Sequence, residues 1–315
     1  MSEGLHLPSL DAATGWINSA PLTPADLRGH VVLFDFRTLT CINWLRTVPY
    51  IRAWSRAYAD DGLIVVGVHT PEFSFEHDLE LVRAATRERG LGHPVAVDND
   101  FGVWSAFDNH YWPAQYYADT AGVIRDHHFG EGRYEQSERK LQELLGIRRD
   151  LVSVEATGIE AEADWKQLRT PETYLGSARG QYFASPARAK LDERAGYQLP
   201  ERLTVNHWAL AGEWTIGPES VHLAEPGGTI AYSFHARDAH LVLSPGTEGP
   251  IPFRVLLDGE PPGDAHGVDT DEDGHGVARD GRLYQLIRQP GMVRDRTLEI
   301  TFHAPGVRAY VFTFG

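Results

Sequence analysis

The sequence predicts an α/β domain followed by an all-β sandwich. Three observations carry this. In the first half, near-continuous apolar runs alternate with amphipathic helical periods, the pattern of a sheet covered on both faces. In the second half, short strands recur between Gly and Pro turns. Between the halves, from about Gly146 to Trp165, the chain turns acidic and loses its period. The expected boundaries are 1–146 for the α/β domain, 147–165 for a linker and 166–315 for the sandwich.

Each element has its own signal. Residues 31–36, VVLFDF, read as a buried strand. Residues 43–59 read as a helix with Leu45, Val48, Ile51 and Ala53 on its apolar side. Pro49 lacks a backbone donor and is expected to kink it. Residues 63–68, LIVVGV, form a second buried strand, 76–89 a charged amphipathic helix and 94–97 a short strand. Residues 115–118 and 123–127 flank a turn and read as a hairpin; 134–145 is a closing helix. This order describes a mixed sheet flanked by helices. In the second half, strands are expected at 230–235, 241–244, 252–257, 282–287, 298–302 and 310–314. That spacing suggests an antiparallel sandwich of jelly-roll type.

Bulk properties narrow the function classes. The chain has 315 residues, 42% hydrophobic and 23% charged, as in an ordinary globular protein of two domains. No apolar run reaches the roughly 18 residues of a membrane span. A formal charge of −15 argues against nucleic acid and anionic membranes as partners, since both select basic footprints. The first ten residues lack the basic and apolar regions of a secretory signal. The expected location is therefore cytoplasmic, or extracytoplasmic if the chain is a trimmed piece. A single cysteine, Cys41, excludes a disulfide framework and any multi-cysteine metal site.

Cys41 falls where the first strand feeds the first helix. A helix N-terminus stabilises a thiolate through its dipole and free amides. Arg37 supplies a cation nearby in sequence, and together they would lower the thiol below its free value of about 8.5. The segment Thr38-Leu39-Thr40-Cys41 matches the Thr-x-x-Cys part of a peroxiredoxin loop, although Phe34 stands where that loop has proline. A thiolate beside a hydroxyl and an arginine can form a sulfenic acid.

The strand, the Cys41-Ile42-Asn43 segment and Tyr111-Trp112-Pro113-Ala114 together resemble the thioredoxin-like redoxins of the TlpA/AhpC-TSA group. The resemblance is closest to the C-terminal region of DipZ-type proteins, in which a sandwich similar to a carbohydrate-binding module follows the redoxin domain. Gly67-Val68-His69-Thr70-Pro71-Glu72-Phe73, Trp208-Ala209-Leu210 and the C-terminal Tyr310-Val311-Phe312-Thr313-Phe314 extend it over nearly the whole chain. The family pattern around its thiols is approximately Phe-Trp-Thr-Tyr-Ser-Cys-Ile-Asn-Cys. Here the same stretch is Phe36 to Trp44, with Arg37 for the family tryptophan and Trp44 for the resolving cysteine. The attacking thiol is kept, and no intramolecular disulfide can close.

The resemblance implies roles for several residues. Asp35 takes the place of a buried acid that moves protons for the resolving thiol. Glu72 takes the place of an acid near the thiol cavity that shuttles a proton. Pro113 takes the place of a cis-proline that holds substrate backbone, with Tyr111 and Trp112 lining the same mouth. Trp44 either packs into the core or offers an aromatic face to a ligand. Arg37 and Thr38 would then help to shape a substrate pocket.

Other constellations lie outside that site. Asp269, Asp271, Asp273 and Asp280 follow calcium-loop spacing, with Asp where the last ligand should be Glu. His207, Trp208 and Trp214 are either a sugar platform or core. His110, His127 and His128 are a remote metal option with Cys41. The leading expectation is a monothiol oxidoreductase. Cys41 attacks a disulfide, peroxide or other electrophile; an external thiol reductant resolves the adduct, and no cofactor is required. The alternatives are a covalent nucleophile on a small molecule without redox turnover, and a binding module whose sandwich takes a glycan or protein.

Overall fold

The computed structural model describes residues 6–246 and 249–315. The chain divides into two compact units, Met1–Ala161 and Glu162–Gly315. The first holds β1 (Gly15–Ile17), α1 (Pro24–Leu27), β2 (Val31–Arg37), α2 (Ile42–Ala57), β3 (Leu63–His69) and α3 (Leu79–Glu88). It continues with β4 (Val95–Val97), α4 (Gly102–Ala106), β5 (Ala114–Ala118), β6 (Ile124–Phe129) and α5 (Tyr134–Leu145). Its strands lie in the order β1-β4-β3-β2-β5-β6. The β2–β3 and β3–β4 pairs are parallel; the other three are antiparallel.

The central strand β2 is buried along its whole length, which is why its sequence is apolar almost throughout. Alternation along the strand sorts its side chains. Val32, Phe34 and Phe36 join Val103, Phe107 and Tyr116 on one face. Val31 and Leu33 join Ile51, Trp54, Tyr58 and Leu141 on the other. Asp35 and Arg37 follow Val31 and Leu33, so the register sends two charged side chains beneath α2.

Helix α2 runs through Pro49 as one element. The missing N–H leaves the Leu45 carbonyl without a helical donor, but packing on both sides holds the helix. The charged helix begins later than its periodicity suggested. Asp78 caps it, accepting from the Glu80 and Leu81 amides at 2.8 and 3.3 Å. Glu76 instead sits in a separate single turn, Ser74–His77.

The second unit is β-rich, as expected. It holds β7 (Thr173–Tyr174), β8 (Arg194–Tyr197), β9 (Trp208–Ile216), β10 (Val221–Leu223), β11 (Thr229–Phe234) and β12 (Asp238–Ser244). It continues with β13 (Ile251–Leu257), β14 (His275–Ala278), β15 (Arg282–Arg288), β16 (Arg296–Phe302) and β17 (Arg308–Phe314). The main path is β14-β13-β16-β11-β9-β10-β17-β12-β15, with β7 on β17 and β8 on β9. Strand β9 changes partners midway, from β11 to β10. Gly212 lies at the change, with φ +93°, and a Cβ there would stand only 3.0 Å from the Gly228 Cα. The sheet curls around one core that draws on both halves, including Trp208, Trp214, Tyr232, Phe253, Phe302 and Phe312.

Candidate functional site

Cys41 is the N-cap residue of α2, with extended backbone at φ −69° and ψ 112°. It is partly exposed. Its Sγ lies 3.8 Å from the carbonyl oxygen of Trp112. The Trp112–Pro113 peptide bond is cis. Pro113 is buried, and its carbonyl accepts from the Gly130 amide at 2.8 Å, which ties it to the end of β6. The rim is aromatic. Tyr111 is 53% exposed and packs on Phe129 at 4.8 Å. Trp112 packs on Trp104 at 4.5 Å.

Behind the thiol, three side chains form one buried unit. The Trp44 indole N–H donates to Asp35 Oδ2 at 3.0 Å. The Arg37 guanidinium lies 4.8 Å from the Trp44 ring centre, a cation–π contact. Arg37 Nη2 reaches Thr86 Oγ1 at 3.3 Å, while its Nε and Nη1 have no hydrogen-bond partner. Gly67 makes room for this arrangement. A Cβ there would stand 3.4 Å from Arg37 Cζ and 3.4 Å from His93 Nε2.

Burial sets the electrostatics of this unit. It pushes Asp35 up to about 6, against the opposing pull of Arg37 and the Trp44 N–H. It brings Arg37 down to about 10, with Asp35 pulling the other way. It holds His69 and His93 down to about 3, helped by the Arg37 charge. Both imidazoles are therefore neutral at pH 7. Arg37 and Trp44 are 0% and 1% exposed: Trp44 packs into the core, one of its two expected fates, and Arg37 does not line an open pocket as expected. Their polar and π groups are turned towards Asp35 and each other, which explains why two unusual residues occur together.

Thr38 is also buried rather than available to substrate. Its hydroxyl donates to Glu76 Oε2 at 2.6 Å. Glu76 was missed in the sequence. It is fully buried and accepts from Thr40 N and Oγ1 at 3.1 and 2.9 Å, and from the Glu72 and Phe73 amides at 2.7 and 2.9 Å. Burial raises its carboxyl, and these donors oppose the rise. The buried acid of this loop is thus Glu76, whereas Glu72 is partly exposed and meets the cluster through its backbone. A signal was present: Glu76 follows Phe73 and Phe75, and an acid carried inwards among apolar residues has to be met by donors.

The remaining candidates do not assemble. Asp269 is taken by Arg282 and by the Gln285 amide at 2.8 Å. Asp271 turns to the His275 amide at 2.7 Å. Among the described residues, no group of three or more His, Cys, Asp or Glu side chains could hold a metal ion. The calcium-loop spacing instead falls on turns between strands, with Asp269 and Asp271 already used by local donors. The three histidines also fail to converge with Cys41; His110 instead meets Asp108 at 3.3 Å. Trp208 and Trp214 are core, with their N–H groups on the carbonyls of Gln181 and Ala211. They form no sugar platform.

Similarity to known proteins agrees with this geometry. A family model described as a thioredoxin-like C-terminal domain matches residues 170–315. Protein DipZ of Mycobacterium bovis is 34% identical over 259 residues, covering 81% of this chain and 36% of DipZ. The chain thus spans about a third of the length of that relative. The thiol-disulfide oxidoreductase YkuV of Bacillus subtilis is 25% identical over 139 residues, covering 44% of this chain and 93% of YkuV. A solved thiol-disulfide isomerase from Corynebacterium glutamicum is 26% identical, covering 47% of this chain and 98% of its own, with a TM-score of 0.40. Among the described residues, no helix is long and apolar enough to cross a membrane. With the DipZ match extending over four-fifths of the sequence and the family model over the second unit, this chain is a thioredoxin-like redoxin related to DipZ.

Proposed function

We propose that the protein is a monothiol oxidoreductase whose nucleophile is Cys41. The observation that carries this is the environment of Trp44. Cys41 keeps a partly open position at the start of α2, facing the Trp112 carbonyl. The residue three positions on is an indole bound to Asp35, and the sequence has no second cysteine. The name of YkuV describes thiol–disulfide chemistry, and half of that chemistry is available here.

The reaction runs in two exchanges. The Cys41 thiolate attacks one sulfur of a small disulfide; the S–S bond breaks and the second sulfur leaves as a thiolate. An external thiolate then attacks the adduct, releasing Cys41 and a new disulfide. The net result is one free thiol from the substrate and a mixed disulfide of its other half with the external thiol; a second external thiol, attacking that mixed disulfide, completes the reduction and leaves the external thiol as its own disulfide. Trp44 prevents internal resolution, so the adduct persists until the second thiol arrives. Asp35 has one oxygen engaged by Trp44 and a cation beside it, so it acts as a fixed internal charge rather than as a base for a resolving thiol.

Turnover of a small disulfide at varied external thiol is the test. The rate should depend on that thiol and vanish in Cys41→Ser. Turnover retained in Cys41→Ser would overturn the proposal. Cys41-dependent conversion of an electrophile without any reductant would replace it with non-redox nucleophilic catalysis.

A further inference from the structure

Glu76 lies outside the stretches on which the family resemblance rests, yet its carboxylate accepts from five separate groups. We propose that Glu76 is the positioning residue for Cys41; this rests on the reading of Cys41 as a reactive thiol. Strands β2 and β3 pair in parallel up to Arg37 and His69. One further bond, from the Thr70 amide to the Arg37 carbonyl at 2.9 Å, extends the ladder. Beyond it the two loops diverge, one towards Cys41 and one towards the Ser74–His77 turn. The Glu76 carboxylate joins them again.

It does so with both oxygens. Oε1 accepts the Thr40 amide and hydroxyl at 3.1 and 2.9 Å, on the residue directly before the thiol. Oε2 accepts the Thr38 hydroxyl at 2.6 Å and the Glu72 and Phe73 amides at 2.7 and 2.9 Å. The Thr38 hydroxyl also receives the Glu72 amide at 3.3 Å. The turn carrying Glu76 is itself anchored, since His69 Nε2 lies 3.0 Å from the Glu76 carbonyl oxygen and donates to it. Every group aimed at the carboxylate is a donor, so a carboxylate satisfies all of them and an amide in its place would not. The clamp thus fixes residues 38 to 40, and with them the point at which Cys41 enters the start of α2.

The test is the pH dependence of Cys41 alkylation by iodoacetamide in the full chain. Thr38→Val with Thr40→Val keeps the shape and removes two of the tethers. Residues 38 to 40 are then held less firmly, so Cys41 loses its fixed place at the start of α2 and part of the helix-end stabilisation of a thiolate. We expect the labelling transition to rise by about one pH unit, or about tenfold slower labelling below it. Thr38→Ser with Thr40→Ser restores both hydroxyls and should restore the wild-type profile. Glu138→Gln alters a buried acid that bonds Trp54 and Tyr58 instead, and should leave the profile unchanged. If the double valine variant does not fold, Thr40→Val alone decides. A wild-type profile in the folded valine variant, or an equally altered profile in the serine variant, overturns the proposal. Wild-type labelling no different from a free cysteine overturns the reactive-thiol reading as well, and so separates the two failures.

Discussion

Trp44→Phe isolates the bond that distinguishes this site. Phenylalanine keeps a ring beneath Arg37 and removes the N–H held by Asp35. A hydrogen bond to a charged group contributes about 1.5–3 kcal/mol. At about 1.4 kcal/mol per pKa unit, its loss should move Asp35 from about 6 to about 7–8. The native state of the wild type already binds this proton more tightly than the unfolded chain, 6 against 3.8. Stability is therefore greatest below about pH 4 and falls as pH rises through 6, by about 3 kcal/mol in all. In the variant the fall should be larger by about 2 kcal/mol and extend towards pH 8.

Urea unfolding at pH 5 and pH 8 measures this directly. At pH 5 the Asp35 carboxyl is mostly protonated in both proteins, and only the repacking cost remains, on the order of 1 kcal/mol. At pH 8 the difference should reach about 3 kcal/mol. Other titrating groups cancel between the two proteins. An equal difference at both pH values would refute the claim that Trp44 stabilises an ionised Asp35.

Three further outcomes follow from the same contacts. Arg37→Met leaves Asp35 without its buried cation and should cost on the order of 3 kcal/mol at pH 8 and less at pH 5, read from urea midpoints. Gly67→Ala places a methyl 3.4 Å from Arg37, His93 and Val95, at the edge of ordinary contact, and should change stability by less than about 1 kcal/mol, read by thermal melting. Cys41→Ser should abolish thiol-dependent turnover while changing stability by no more than about 0.5 kcal/mol, because the side chain is partly exposed.

The elements around β2 were legible because burial on both faces leaves a continuous apolar run, and Cys41 was legible because it is the only sulfur of its kind. Strand β9, the longest of the second unit, was not. Its sequence WALAGEWTI mixes a glycine and an acid into the run, and Gly212 sits where the strand switches partners, at positive φ and close to the Gly228 backbone. The helix at Glu76 was misplaced for a related reason. Charged periodicity runs on across Asp78, and only the capping bonds reveal that a new helix starts there. Arg37 and Trp44 were each visible as odd residues in a known pattern. That they turn inward onto Asp35 depends on strand alternation combined with the gap at Gly67, a relation between distant positions that a linear pattern does not contain.

The central claim is that Cys41 forms an adduct which the chain cannot resolve by itself. Intact-mass measurement after exposure to oxidised glutathione, followed by removal of the excess, tests it most directly. A single glutathione adduct on Cys41 that persists over hours and is lost on adding a small thiol is the predicted result. No adduct in the native protein, or an adduct that disappears without added thiol, would contradict it.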